Sequence, residues 1–237
     1  YLIKPFFMRL VFLLFLTSLL SHAQAIRLGQ FDELKVFDGI RVTVIPSEAD
    51  SLVVEGKNKD YISYKNKNGR LYIRMNVKKR LSGFNTTVAL FCSNPLEEID
   101  ANEGAFVSCQ DVLFQQSITL KAQEGAEIEA LLDVQKVTTK TVSGGIVNLK
   151  GAAVIQSHRV SSGGVVDAST LDSEQVVVRV KAGGNAAVRA TELAEATVSF
   201  GGSVNVYGEP KKLIKKIAVG GNISLATTPT EEQPTNE

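Results

Sequence analysis

The sequence contains no tryptophan, two cysteines, two histidines and two methionines, and aromatic residues make up 7% of it. Each scarcity closes a route. Two cysteines cannot build a disulfide scaffold, and with His22 inside the leader described below the one remaining histidine and two cysteines fall short of a tetrahedral zinc centre. Neither sign of charge dominates, since 26 Lys and Arg stand against 25 Asp and Glu in 237 residues. That balance gives no bulk field to attract a phosphate backbone and disfavours a polybasic nucleic-acid binder. The chain is still a folding one, because 44% hydrophobic with 22% charged residues is too rich in core material for disorder.

Long apolar runs are equally scarce. One lies near the start, where Arg9 precedes Leu10–Leu16, then Leu19 and Leu20, and the small-residue segment Ser21-His22-Ala23-Gln24-Ala25 follows. This is the pattern of a secretory signal peptide, and about eleven apolar residues are too few for a spanning helix. We therefore expect residues 1–23 to be a leader, with 1–7 upstream of the true start at Met8. Losing Lys4 and Arg9 with it leaves 24 basic against 25 acidic side chains. No cysteine follows the cleavage region to accept a lipid, and no later stretch could cross a bilayer as a helix. The product is expected in the periplasm or at the cell surface.

What the chain does have is a repeat. Small pairs recur at Gly104-Ala105, Gly125-Ala126, Gly144-Gly145, Gly163-Gly164, Gly183-Gly184, Gly201-Gly202 and Gly220-Gly221, with first glycines 21, 19, 19, 20, 18 and 19 residues apart. Three residues after each first Gly stand Val107, Ile128, Val147, Val166, Ala186, Val204 and Ile223. Five after it stand Cys109, Ala130, Leu149, Ala168, Val188, Val206 and Leu225. The residue between is polar in all but one coil: Ser108, Glu129, Asn148, Asp167, Ala187, Asn205, Ser224. Apolar Ala101, Ala122, Val160, Val180, Val198 and Ile217, with Thr141, lie three before the Gly, next to a polar column four before it. This period of two marks half-buried strands on both sides of a glycine corner.

A repeat of about 19 residues with short strands and no helical period predicts an all-β, single-domain parallel β-helix, taken as right-handed, in which each repeat is one coil. An antiparallel sandwich gives no reason for a Gly pair at one phase seven times. Small inward columns fit a narrow interior, and after Phe114 the aromatics are Phe200 and Tyr207. Residues 24–98 lack the pair but contain strand-like runs at 39–45, 52–55, 69–73 and 87–91, which predicts irregular coils capping a regular stack over 99–226. Residues 227–237 are polar with two prolines and are expected to be a disordered tail.

The leader, the opening Phe37-Asp38-Gly39-Ile40-Arg41-Val42-Thr43-Val44, the segment Gly69-Arg70-Leu71-Tyr72-Ile73 and the Gly-Gly-x-Val/Ile-Asn/Asp repeats together resemble the head GIN domain family of autotransporter adhesins. The resemblance covers residues 30–226 and implies one exported β-helical domain with an adhesive role. It brings no catalytic residue to carry over. The membrane barrel that ends a longer autotransporter is not part of this sequence.

The chemistry is sparse. Behind the leader the one histidine is His158, five before Gly163, in a column with Ile99, Leu120, Thr139, Val178, Ala196 and Lys215, and it reads as a structural, half-buried side chain. Neither a catalytic centre, nor a metal site, nor a cofactor is expected. Cys92 and Cys109 are 17 apart, near one coil, and either bridge across coils or pack as two buried thiols.

Four residues before the corner, Lys121, Lys140, Arg159, Arg179 and Lys216 form a basic stripe. It would dock an extended anionic polymer such as an acidic glycan or lipopolysaccharide core, or serve as a solvated face that discourages lateral sheet association. The column Glu129, Asn148, Asp167 and Asn205 offers a ladder of rungs, or with Arg159 or Arg179 the acid of a polysaccharide-cleaving site. The even spacing leaves no inserted loop to build such a cleft. A non-enzymatic binding module of the envelope is the expected function, with a carbohydrate-active enzyme and a structural spacer as alternatives.

Overall fold

The computed structural model describes residues 25–226; the expected leader and tail lie outside them. It is an all-β solenoid of about seven turns with coils of about 19 residues, as the repeat requires. Eight strands come first: β1 (Ile26–Arg27), β2 (Glu33–Val36), β3 (Arg41–Pro46), β4 (Ser51–Gly56), β5 (Ile62–Lys67), β6 (Arg70–Met75), β7 (Thr86–Cys92) and β8 (Glu98–Ala101). Four long strands follow, each running from one glycine corner to the next: β9 (Phe106–Gln123), β10 (Glu127–Val142), β11 (Ile146–Ser161) and β12 (Val165–Lys181). The last coils are split into β13 (Asn185–Arg189), β14 (Leu193–Ser199), β15 (Ser203–Tyr207), β16 (Lys212–Ala218) and β17 (Asn222–Leu225).

Each corner is a type I′ turn in which two consecutive residues are left-handed, such as Ser143 (φ 52°) with Gly144 (φ 74°) and Ser162 (φ 50°) with Gly163 (φ 72°). The turn closes with a bond such as Gly145 N–H to Val142 C=O at 3.0 Å, and Ile146 N–H then donates to Ala126 C=O of the coil below at 2.9 Å. The two small residues have different duties. A Cβ on Gly144 would meet nothing within 4 Å, so that glycine is there for its φ. A Cβ on Gly145 would lie 2.0 Å from the Ala122 carbonyl oxygen, so that glycine is there for space.

Successive coils pair in parallel, with Glu127–Thr141 of β10 opposite Ile146–Val160 of β11 residue by residue. The inward columns are sealed as the alternation predicts, from Val107, Ile128 and Val147 through Val204. The two intervals longer than 19 residues are bulges. Against β10, β9 carries two extra residues between Cys109 and Leu113, which is the 21-residue interval, and β12 carries one extra beside Ala168-Ser169, which is the 20-residue one.

The N-terminal block does not stack in chain order. β2 and β3 turn at Asp38 (φ 61°) and Gly39 (φ 75°), which is the same corner without the second small residue. This coil lies directly against the next one, with Val36 opposite Ala101 and Arg41 opposite Phe106. On its other side it pairs with β6 and β7, which come later in sequence, so it is held between two coils. Antiparallel strands close the end: β5 on β6 through an Asn68-Gly69 hairpin turn, and β4 on β7 with β1 outside it. At the opposite end no described residue covers Ile217, Val219 and Leu225, although the repeat columns place Ile217 and Leu225 inward.

Candidate functional site

The corner divides each coil into two outward surfaces. On the surface before it, the strand register aligns Lys35, Asp100, Lys121, Lys140, Arg159, Arg179, Thr197 and Lys216 in one continuous row. All five stripe residues predicted from the sequence therefore fall together, with Thr197 interrupting before Lys216. Strand spacing puts their Cα atoms about 4.8 Å apart.

The row is not uniform. At its N-terminal end Lys35 Nζ meets Asp100 Oδ2 at 2.8 Å and Lys121 Nζ meets Glu98 Oε2 at 2.5 Å. Past Lys121 no salt bridge among the described residues reaches Lys140, Arg159 or Arg179. Thr138 and Ser157 flank Lys140 and Arg159 on one side and Val142 and Ser161 on the other, while Arg179 stands between Val177 and a further cation, Lys181. Three adjacent cations on a flat, hydroxyl-rich sheet repel one another by about 1 kcal/mol per pair in water, a cost that an extended polyanion would reverse.

The surface after the corner has the opposite character. Glu127, Glu129 and Asp167 stand there, and its rungs are mostly Ser to Asn: Ser203 Oγ to Asn185 Oδ1 at 2.8 Å, Ser224 Oγ to Asn205 Oδ1 at 2.7 Å, and Asn148 Nδ2 to Glu127 Oε1 at 2.8 Å. Asp167 accepts from Ser169 N–H and Oγ at 3.0 and 2.7 Å. It lies on the far side of the corner from Arg159 and Arg179, so the acid and base of a polysaccharide-cleaving site are not brought together there.

The other singled-out residues are structural in their settings. His158 is wholly buried, not half-buried; its Nδ1 lies 2.8 Å from Thr139 Oγ1 and its Nε2 2.7 Å from Gln156 Oε1. Gln156 Nε2 in turn donates to the Leu171 and Arg189 carbonyls at 3.0 and 3.2 Å, which makes Oε1 the acceptor and places the ring proton on Nε2. Burial pushes the imidazole down to about 3, so it stays neutral. Cys92 and Cys109 are free, buried thiols. Strand β3 runs between the strands that carry them, with Pro46 opposite Cys92 and Val44 opposite Cys109, and this removes the bridge. Burial pushes both thiols up to about 12 and leaves them unreactive.

Sequence reasoning missed two features. Asp38 is completely buried at the first corner, where its carboxylate accepts from Met75 N–H at 3.0 Å and Leu81 N–H at 3.3 Å and so ties the connection after β6 to β2. Glu103, the corner residue one coil on, has its carboxyl raised above the usual range, first by burial and then by the Asp38 carboxyl. The second feature is a groove of about 700 Å³ between the loop after β7 and residues 114–117 of β9, just past that strand's two-residue bulge. The 21-residue interval was the signal of that bulge, and the bulge overturns the expectation that no coil carries an insertion.

Among proteins of known sequence family, the one described as "Putative auto-transporter adhesin, head GIN domain" matches residues 30–210. No curated protein matches the chain. Similar solved structures include a "putative adhesin" from Bacteroides fragilis NCTC 9343, 20% identical with a TM-score of 0.74, covering 84% of this chain and 94% of that one. A second "putative adhesin", from Parabacteroides distasonis ATCC 8503, is 19% identical with a TM-score of 0.69 over 86% and 95%. A third structure from the same organism, described as a "Putative lipid binding protein", is 15% identical with a TM-score of 0.62 over 85% and 95%. At these identities the likeness is one of fold.

Proposed function

The chain belongs to the head GIN domain family, and from that premise we propose that it is an exported, non-enzymatic, adhesin-like module that holds an anionic surface polymer on its basic face. Residues 1–23 serve as the leader, 24–226 as the binding domain and 227–237 as a tail. No helix among the described residues is long and apolar enough to cross a membrane.

The observation that carries the reading is the contrast within one row. Lys35 and Lys121 are neutralised by Asp100 and Glu98, whereas Lys140, Arg159 and Arg179 are in no salt bridge among the described residues. A face meant only to repel neighbouring sheets has no need to concentrate its free charge in three adjacent coils. An acidic glycan, extended and with one charge per sugar, suits a row of cations at strand spacing.

The test is retention of the purified protein on immobilised polygalacturonate at about 50 mM and about 300 mM salt. Retention that falls with salt, and at least about tenfold in the Lys140→Ser, Arg159→Ser, Arg179→Ser triple variant, is expected. Retention unchanged in that variant would remove the basic face from the account. Turnover of the polymer would point to the enzyme reading.

A further inference from the structure

The corner of each coil opposite the glycine carries an outward column, Phe114, Asp133, Ala152 and Asp172. Three of these are polar or small and suit solvent. Phe114 does not: it is 70% exposed and follows directly on the bulge that gives this coil its two extra residues. Three aromatics of the N-terminal block and the first regular coil lie under cations, Phe106 under Arg41 at 4.2 Å, Phe37 under Arg74 at 5.0 Å and Tyr61 under Lys79 at 5.4 Å, while Tyr64 and Phe84 are exposed like Phe114 but line neither hollow described below. Phe114 has no such cover and forms one wall of the 700 Å³ groove, a size ordinary for small-molecule sites. A second hollow of about 270 Å³ adjoins it, sharing Asn94, Pro95, Phe114 and Gln115.

The walls are fixed before anything binds. Gln115 Nε2 donates to the Leu96 and Ser117 carbonyls at 2.9 and 2.7 Å, which straps the loop carrying Asn94 and Glu97 to the strand carrying Phe114. Glu97 N–H donates to the Asp32 carbonyl at 2.7 Å, and Thr119 N–H to the Glu97 carbonyl at 2.9 Å. A groove held in this way spends little on ordering when a ligand enters.

Its chemistry differs from that of the basic face. Asp32 and Glu97 line it, no Lys or Arg does, and neither carboxylate is in a salt bridge among the described residues. An anionic ligand would meet two like charges, and an acyl chain would meet carboxylates and the amides of Asn94, Gln115 and Gln116, with Phe114 and Pro95 as the apolar walls beside an almost wholly buried Phe31. A sugar ring satisfies every wall. Its hydroxyls donate to the carboxylates in charge-assisted bonds, the Asn94 and Gln116 amides both give and accept while Gln115 keeps its oxygen as an acceptor, and its C–H face lies on the phenyl ring.

We propose that this groove is a second binding site, independent of the basic face, that takes an uncharged pyranose ring stacked on Phe114 with its hydroxyls on Asp32 and Glu97. The probes are methyl glucoside, methyl galactoside, methyl mannoside and N-acetylglucosamine, with galacturonate as the charged control, each titrated to about 50 mM into the ¹⁵N-labelled protein and followed by amide shifts.

At least one neutral sugar should give saturable shifts centred on residues 94–97 and 114–117, and galacturonate should bind more weakly than galactoside. Phe114→Ala should weaken that binding about tenfold, and Asp32→Asn with Glu97→Gln by a comparable factor, while the Lys140, Arg159, Arg179 triple variant leaves it unchanged. Phe114 is surface-exposed, so its removal leaves the fold intact; the wild-type amide pattern elsewhere checks this. No shift in the groove from any of the four sugars, shifts confined to the basic face, or binding that survives Phe114→Ala would overturn the proposal.

Discussion

The regular stack and the N-terminal block are built from the same corner but joined in different ways. From Gly104 onward each coil lies on the one before it, about 19 residues away. In the block, Lys35 pairs with Asp100 across 65 residues, and the β2–β3 coil is clasped between two later ones. Closing the longer loop costs about 1 kcal/mol more in chain entropy. The stack is then a sum of nearest-neighbour terms that can open locally, whereas no coil of the block is complete until the others are in place. The difference assigns stability problems in the stack to single layers, and those in the block to the whole end of the molecule.

Acid should separate the two most. His158, deep in the stack, has a folded pKa of about 3 against an ordinary 6.5. Its stabilising neutral form is complete above the ordinary value and is lost as pH falls through that window. The loss is about 3 kcal/mol by pH 4. Urea unfolding between pH 7 and 4, followed by amide exchange, should show the coils around residues 139–189 opening first. His158→Val should start lower, since it leaves Gln156 Oε1 and Thr139 unpaired, but it should lose less with acid. An equal acid slope in both proteins would mean that another group governs the stack.

A smaller and strictly local effect is expected of Gly145→Ala. The new methyl would overlap the Ala122 carbonyl oxygen at 2.0 Å, and backbone can yield only by moving the corner, at about 2–3 kcal/mol. The same position holds buried Ala105 and Ala126 in the two coils beside the block, so Ala is tolerated where the corners are differently seated. Fast amide exchange confined to the coils on either side of Gly145 would support nearest-neighbour behaviour. Loss of protection as far as β2 and β6 would break the distinction between the regions.

How much of this could be read beforehand follows the same division. In the stack, alternation and the Gly phase gave the inward columns, the corner and the alignment of Lys140, Arg159 and Arg179, because one-dimensional stacking converts sequence period directly into spatial neighbourhood. In the block, the strands were legible and their order was not. Val36, Val42 and Val44 fit the repeat columns around Gly39, and Ile40 in place of the second small residue hid the match. Nothing in an alternating pattern says that β6 and β7 will lie outside β2 and β3, since every half-buried strand offers the same kind of face. The bulge just before Phe114 was lost in the opposite way, by treating a 21-residue interval as scatter. Two extra residues in a stack this regular are a structural event.

The smallest expected effect comes from the block and has the opposite sign to that of His158. Burial and the neighbouring Asp38 carboxyl raise the Glu103 pKa, so the folded state holds that proton more tightly than the unfolded chain does. The stabilisation belongs to the protonated form; it is present below the ordinary carboxyl value and lost as pH rises through the raised one. Glu103→Gln fixes the neutral form, and its Oε2 counterpart leaves no buried charge beside Asp38. The variant should gain up to about 1 kcal/mol at neutral pH and nothing near pH 4, read as the difference between urea midpoints of variant and wild type across that range. A gain that persists in acid would mean that packing, rather than charge, separates the two side chains. A loss at neutral pH would mean that the Glu103 carboxylate is held there by Arg74 and Arg80, whose charges oppose the upward shift. In that event the first corner is stabilised as an ion cluster, and acid would weaken the block together with the stack.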